Sequence, residues 1–95
     1  MAKATVRRPE SDLAIHPGEL LAEELEVREM TQRALAEAMG RPVQVVNEIV
    51  RGRKSITADT AVQLEAVLGT PATFWLNLQM QHDLVLARRA AATRR

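Results

Sequence analysis

The sequence predicts an all-α domain of five helices, and three observations carry that expectation. Apolar residues recur at i, i+3 and i+4 in one segment after another and nowhere alternate as a half-buried strand requires. Threonines stand where helices want an N-cap, at Thr31, Thr57 and Thr70, and glycines close the segments before or after them, at Gly40, Gly52 and Gly69. Phe74 and Trp75 are the only Phe, Tyr or Trp residues, so the core has to be aliphatic, without the alternating β-branched and aromatic runs of a sheet. Ninety-five residues allow one such domain with a modest core.

The elements follow in order. Residues 1–12 lack apolar periodicity and read as a flexible N-terminal arm; the domain itself is expected over 13–89. Pro17 suits the first position of helix one, where a missing N–H is no loss, and His16 before it reads as a helix-start residue. Leu21 and Leu25, with Leu20 beside them, give this helix a buried stripe, and it should end near Arg28–Met30. Thr31 caps helix two, which turns Leu35, Ala36 and Met39 inward until Gly40 stops it. Pro42 is expected to begin helix three, whose Val43, Val46, Ile49 and Val50 share one side.

Gly52 closes that helix, and Ile56 should plug back into the core from the connection that follows. Thr57 caps helix four, with Asp59 in its first turn and Ala61, Leu64, Val67 and Leu68 inward. Gly69 ends it. Thr70 and Pro71 repeat the cap-plus-proline start and open helix five, expected to run through Phe74, Trp75 and Leu78 to about Arg89. Residues 90–95 then form a basic tail.

Charge and composition narrow the function classes. The net charge is only +1, but both ends are basic (Lys3, Arg7 and Arg8; Arg88, Arg89, Arg94 and Arg95). Helix one is acidic, with Glu19, Glu23, Glu24, Glu26 and Glu29 against Arg28 alone. Those glutamates suit either a basic protein partner or plain solvent. Residues 31–54 are locally basic, so two faces with different partners are expected. Without cysteine there is no disulfide framework or thiolate metal site. No apolar run reaches the roughly 18–20 residues of a bilayer span, and no signal-peptide core follows the basic start, so a cytoplasmic protein is expected. His16 and His82 lack metal-ligand spacing, and His82-Asp83 has no nucleophile pattern beside it, Ser11 and Ser55 lying in non-periodic segments. Neither an enzyme nor a cofactor is expected.

The segment "EAMGRPVQVVNEIVRGRK", residues 37–54, carries the chemistry. Two short amphipathic helices joined by Gly40-Arg41-Pro42 can form a helix-turn-helix, in which the second helix enters the major groove. At 100° per residue, Gln44, Glu48 and Arg51 point away from the apolar side, with Val45 and Asn47 on the flanks. Gln and Asn bond bidentately to adenine, a carboxylate accepts from the cytosine amino group, and Val meets the thymine methyl. Gln44, Val45, Asn47 and Glu48 are therefore the candidate base readers. Phosphate contacts are a separate task. Gln32 and Arg33 in the first turn of helix two, Arg41 at the start of helix three, and Arg51, Arg53 and Lys54 after it are the candidates for that task. Phe74 and Trp75 can be read as a stacking platform for single-stranded nucleic acid or, with Leu78, as core or dimer interface; the apolar-striped helix around them favours the second. Leu76, Leu78, Met80, Leu84, Val85 and Leu86 leave helix five apolar on more than one side, which suggests self-association.

"MTQRALAEAMGRPVQVVNEIVRGRKSIT" resembles the Xre/Cro-type helix-turn-helix. "HPGELLAEELE" and "RGRKSITADTAVQLEAVLGTPATFWLNLQ" resemble the HigA family of antitoxins, also called plasmid-maintenance or VapI-like antidotes, and the match runs from about His16 to Leu86. The resemblance implies a five-helix lambda-repressor-like DNA-binding domain that dimerises on operator DNA and represses its own operon. It also implies a HigB-type partner, an mRNA-cleaving RelE-like toxin. Carried over by position, base reading falls on Val43, Gln44, Val45, Asn47 and Glu48, and phosphate contact on Gln32, Arg51, Arg53 and Lys54. The chain departs from the wider class at Pro42, Val43 and Val45, where Ser, Thr or Arg is common, and periodicity places Val43 in the core. Two other readings stay open: a stand-alone Xre-type regulator, and a toxin-sequestering protein without DNA binding.

Overall fold

A computed structural model describes residues 15–94; the arm expected over 1–12, with Lys3, Arg7 and Arg8, lies outside them, as does Arg95. Five helices follow one another: α1 (Pro17–Val27), α2 (Gln32–Met39), α3 (Val43–Val50), α4 (Ala58–Leu68) and α5 (Ala72–Thr93). The described residues contain no strand, and none of their helices is long and apolar enough to cross a membrane.

The start of α1 explains the run His16-Pro17-Gly18. The His16 ring caps the helix, its Nδ1 accepting the Gly18 N–H at 2.9 Å, and Pro17 takes the first helical position. A Cβ on Gly18 would run into the Ile49 carbonyl of α3, so the absence of a side chain lets the two backbones meet. At the other end, Arg28 bonds Glu24 Oε1 through Nε at 2.9 Å and donates Nη2 to the Leu68 carbonyl at 2.8 Å. One arginine thus closes α1 and satisfies the last carbonyl of α4.

α1, α2 and α3 end in the same way. Met30, Arg41 and Arg53 each donate their N–H to a carbonyl five residues back, on Leu25, Ala36 and Glu48, and the residue before each bonds three back. That residue must turn left-handed. Gly40 and Gly52 do so at φ 71° and 77°, but in α1 the position is held by Glu29 at φ 56°.

Three boundaries differ from expectation. Pro42 and Pro71 stand just before their helices, in extended conformation with ψ near 144° and 143°, and not at the first helical position. Thr70 does not cap α5. Glu65 of α4 supplies the acceptor instead, its Oε2 taking the Ala72 N–H at 3.2 Å. α5 continues to Thr93, past Arg89, because Ala and Arg are strong helix formers and extending a helix needs no new nucleus.

All five helices contribute to one core. Leu21, Leu35, Val46, Ile49, Leu64 and Trp75 are its fully enclosed large side chains, and Ile56 is buried among them. The Ile56 N–H, which belongs to no helix, donates to Gln79 Oε1 at 2.7 Å, and Gln79 in turn donates to Asp83 at 3.0 Å. This pair of bonds fixes the connection after α3 onto α5. Trp75 is core, whereas Phe74 stands edge-on to it at 5.2 Å and is 42% exposed; Leu78 is half-buried against the core.

Candidate nucleic-acid interface

α2 and α3 form the helix-turn-helix, and the core contacts decide which way α3 faces. Val46 and Ile49 are buried, and Val43, Val45 and Val50 lean partly on the same core. Val43 therefore packs as its periodicity requires, and Val45 is half-buried. What remains outward is Gln44, exposed, and Asn47 and Glu48, half-buried. Gln44 and Glu48 have no side-chain partner among the described residues.

The candidate phosphate contacts divide into two groups. Arg33, Arg51, Arg53 and Lys54 are exposed and have no partner among the described residues. Arg41 and Gln32 are half-buried and already engaged. Arg41 donates Nη1 to Gln63 Oε1 of α4 at 2.9 Å, which ties the turn to the body and uses one of five guanidinium donors. Gln32 Oε1 accepts from Asn47 Nδ2 at 3.1 Å, linking the first residue of α2 to the outward side of α3. Neither bond is visible in the sequence, because each depends on how helices distant in the chain cross.

Backbone donors complete the surface. Thr31 Oγ1 accepts from the Ala34 N–H at 2.9 Å, leaving the earlier N–H groups of α2 without a helical partner. α3 has no side-chain cap, since Pro42 brings no acceptor oxygen. Helix N-termini of this kind favour a phosphate through their open N–H groups and dipole.

The surface therefore combines a neutral-to-polar ridge with unpaired cations at its end and open helix N-termini beside it. Comparison with known proteins identifies the family. The family model described as Helix-turn-helix matches residues 21–75. The chain is 46% identical over 77 residues to Virulence-associated protein I of Dichelobacter nodosus, covering 80% of this chain and 71% of that protein. It is 42% identical over 83 residues to Antitoxin HigA-1 of Vibrio cholerae serotype O1, covering 86% and 73%. The Pseudomonas aeruginosa antitoxin HigA, solved with the higBA promoter, matches with a TM-score of 0.82 at 38% identity, over 86% of this chain and 90% of that one. The HigA relatives are antitoxins and not enzymes. On its five-helix fold, its helix-turn-helix and these identities, the chain belongs to the HigA family of antitoxins with an Xre-type DNA-binding domain.

Proposed function

We propose that this protein is the antitoxin of a type II toxin–antitoxin module, repressing its own operon by occupying the operator and neutralising a HigB/RelE-like mRNA-cleaving toxin. The observation that carries the DNA half is the outward face of α3, with Gln44 and Glu48 unpartnered and Arg51, Arg53 and Lys54 unpaired immediately after it. Gln44, Asn47 and Glu48 read bases, Val45 contributes an apolar edge, and the cations hold the flanking phosphates.

The active unit is a homodimer joined through α5. Trp75, Gln79 and Val85 of that helix face the core, while Met80 and Leu84, four residues apart, continue outward from Leu76, which is half-buried against the core, as an apolar stripe on another side. Met80 and Leu84 are 51% and 41% exposed in the single chain. A second copy covers them and sets two α3 helices against successive major-groove half-sites.

Replacing Gln44 and Asn47 together by Ala should weaken operator binding by about tenfold or more, each good base contact being worth roughly 1–3 kcal/mol. Circular dichroism should not change, because neither side chain belongs to the core, and melting should fall only by the loss of the one Asn47–Gln32 hydrogen bond. Undiminished sequence-specific affinity would remove these residues from the reading face. For the toxin half, co-expression with a HigB-type toxin should restore growth; persistent toxicity would contradict it.

A further inference from the structure

We propose that His16 is a positioning residue for phosphate contact: its neutral ring, held between α1, the turn after α3 and α5, keeps Arg51, Arg53 and Lys54 in place, and taking up a proton weakens DNA binding. This rests on the phosphate-contact assignment above and adds a control on it.

His16 is 8% exposed and sits where three parts of the fold meet. Its Nδ1 accepts the Gly18 N–H at 2.9 Å, and Gly18 is the residue whose backbone meets the Ile49 carbonyl near the end of α3. Just beyond Ile49 the chain turns left-handed at Gly52, and a Cβ built there would lie 3.8 Å from His16 Cγ. The backbone between Arg51 and Arg53 therefore runs along the imidazole, which supports the basic turn from beneath. From α5, the His82 ring approaches that of His16 at 4.9 Å with the two planes 76° apart. The same helix holds the far end of the turn, since Gln79 accepts the Ile56 N–H and donates to Asp83, the neighbour of His82. The segment that carries the three exposed cations is thus fixed at one end through His16 and at the other through Gln79.

The cap works only while Nδ1 carries no proton. A protonated ring presents a donor to the Gly18 N–H, so two donors face each other where a hydrogen bond stood. The charged groups that face the ring are Glu19 from α1 and His82 and Asp83 from α5, while Arg51, Arg53 and Lys54 come from the turn. Burial first, and then His82, hold the ring below the ordinary 6.5 against Asp83 and Glu19. The cap is therefore intact at neutral pH and lost on acidification. Its loss releases the start of α1 from the end of α3 and removes the support under the turn. The sign of the effect is distinctive. Phosphates favour a proton on any histidine near them, so charge alone would tighten DNA binding as pH falls. Loss of the support acts the opposite way.

The test measures the affinity of wild type and His16→Asn for a duplex from upstream of the protein's own gene and for an unrelated duplex, between about pH 7.5 and pH 5.5, where circular dichroism shows each protein fully folded. Wild-type affinity should fall about three- to tenfold on both duplexes as pH drops, the size of effect that a lost helix cap brings, and its salt dependence should become shallower. Asn keeps a capping oxygen without titrating, so His16→Asn should bind at pH 5.5 about as it does at pH 7.5. In the free wild type, the Gly18 and Gly52 amide resonances should shift along the same titration curve as the His16 ring protons. Wild-type affinity that is constant or rises on acidification overturns the proposal, and so does a His16→Asn variant that loses as much as the wild type. A Gly52 resonance that ignores the His16 titration overturns it without reference to DNA. A wild type that binds neither duplex at either pH overturns the phosphate-contact assignment itself, and the proposal with it.

Discussion

Glu29 turns the chain left-handed with a φ of 56°, at a position equivalent to those that α2 and α3 give to glycine. An L side chain there costs conformational energy, and nothing in the sequence announces the turn, since a glutamate in an acidic helix looks like one more solvated residue. Glu29→Gly should therefore raise stability by about 0.5–1 kcal/mol, after the larger chain entropy of unfolded glycine is subtracted. Urea denaturation checks this; a loss of stability would mean that Glu29 makes a contribution beyond its turn. His16 carries a second residue-scale consequence. Burial first, and then the nearby charge of His82 at a ring separation of 4.9 Å, hold it below the ordinary imidazole value of 6.5, with Asp83 and Glu19 opposing. As pH falls, the unfolded chain takes up this proton before the folded one does. Stability that is present above about pH 6.5 is therefore lost as pH drops through the folded value. Protonation at Nδ1 also removes the acceptor that caps α1. His16→Asn retains a capping oxygen without the titration, so it should flatten the fall in melting temperature between about pH 7 and pH 5. An unchanged slope would place the sensitivity elsewhere.

The helices show how far local signals reach. Thr31, Thr57, Gly40, Gly52 and Gly69 punctuate the chain through bonds to near neighbours in sequence, so the helix starts and stops they mark can be read without knowing the fold. Thr70 fails as a cap because Glu65, from another helix, supplies the acceptor; Gly18 matters because of Ile49, far along the chain in α3. The candidate interface divides on the same line. Which side of α3 faces outward follows from Val46 and Ile49, but the pairs Gln32–Asn47 and Arg41–Gln63 exist only once α2, α3 and α4 are packed. The basic cluster after α3 belongs to this scale. Replacing Arg51, Arg53 and Lys54 by Ala should reduce affinity for operator and unrelated DNA alike, and flatten the salt dependence by about one unit of slope for each phosphate no longer neutralised. If only one base position loses its preference, these residues read sequence and do not anchor.

At the scale of the molecule, the core is shared by all five helices while the two expected interaction surfaces lie on different ones. α3 presents the polar face and the cations beside it; α5 presents the exposed apolar pair Met80 and Leu84 and runs on to Thr93, with every residue from Leu86 to Arg94 exposed. The acidic face of α1, with Glu19, Glu23, Glu26 and Glu29 exposed, is a third surface of opposite charge. Such a division suits a chain that holds DNA on one side and a second copy on another. If α3 reads an operator, as proposed, a footprint on the DNA upstream of the protein's own gene will show it. Two protected half-sites about one helical turn apart are expected, occupied by two chains, with protection abolished in the Gln44→Ala/Asn47→Ala variant. Protection that ignores sequence, or that survives the double substitution unchanged, would contradict it.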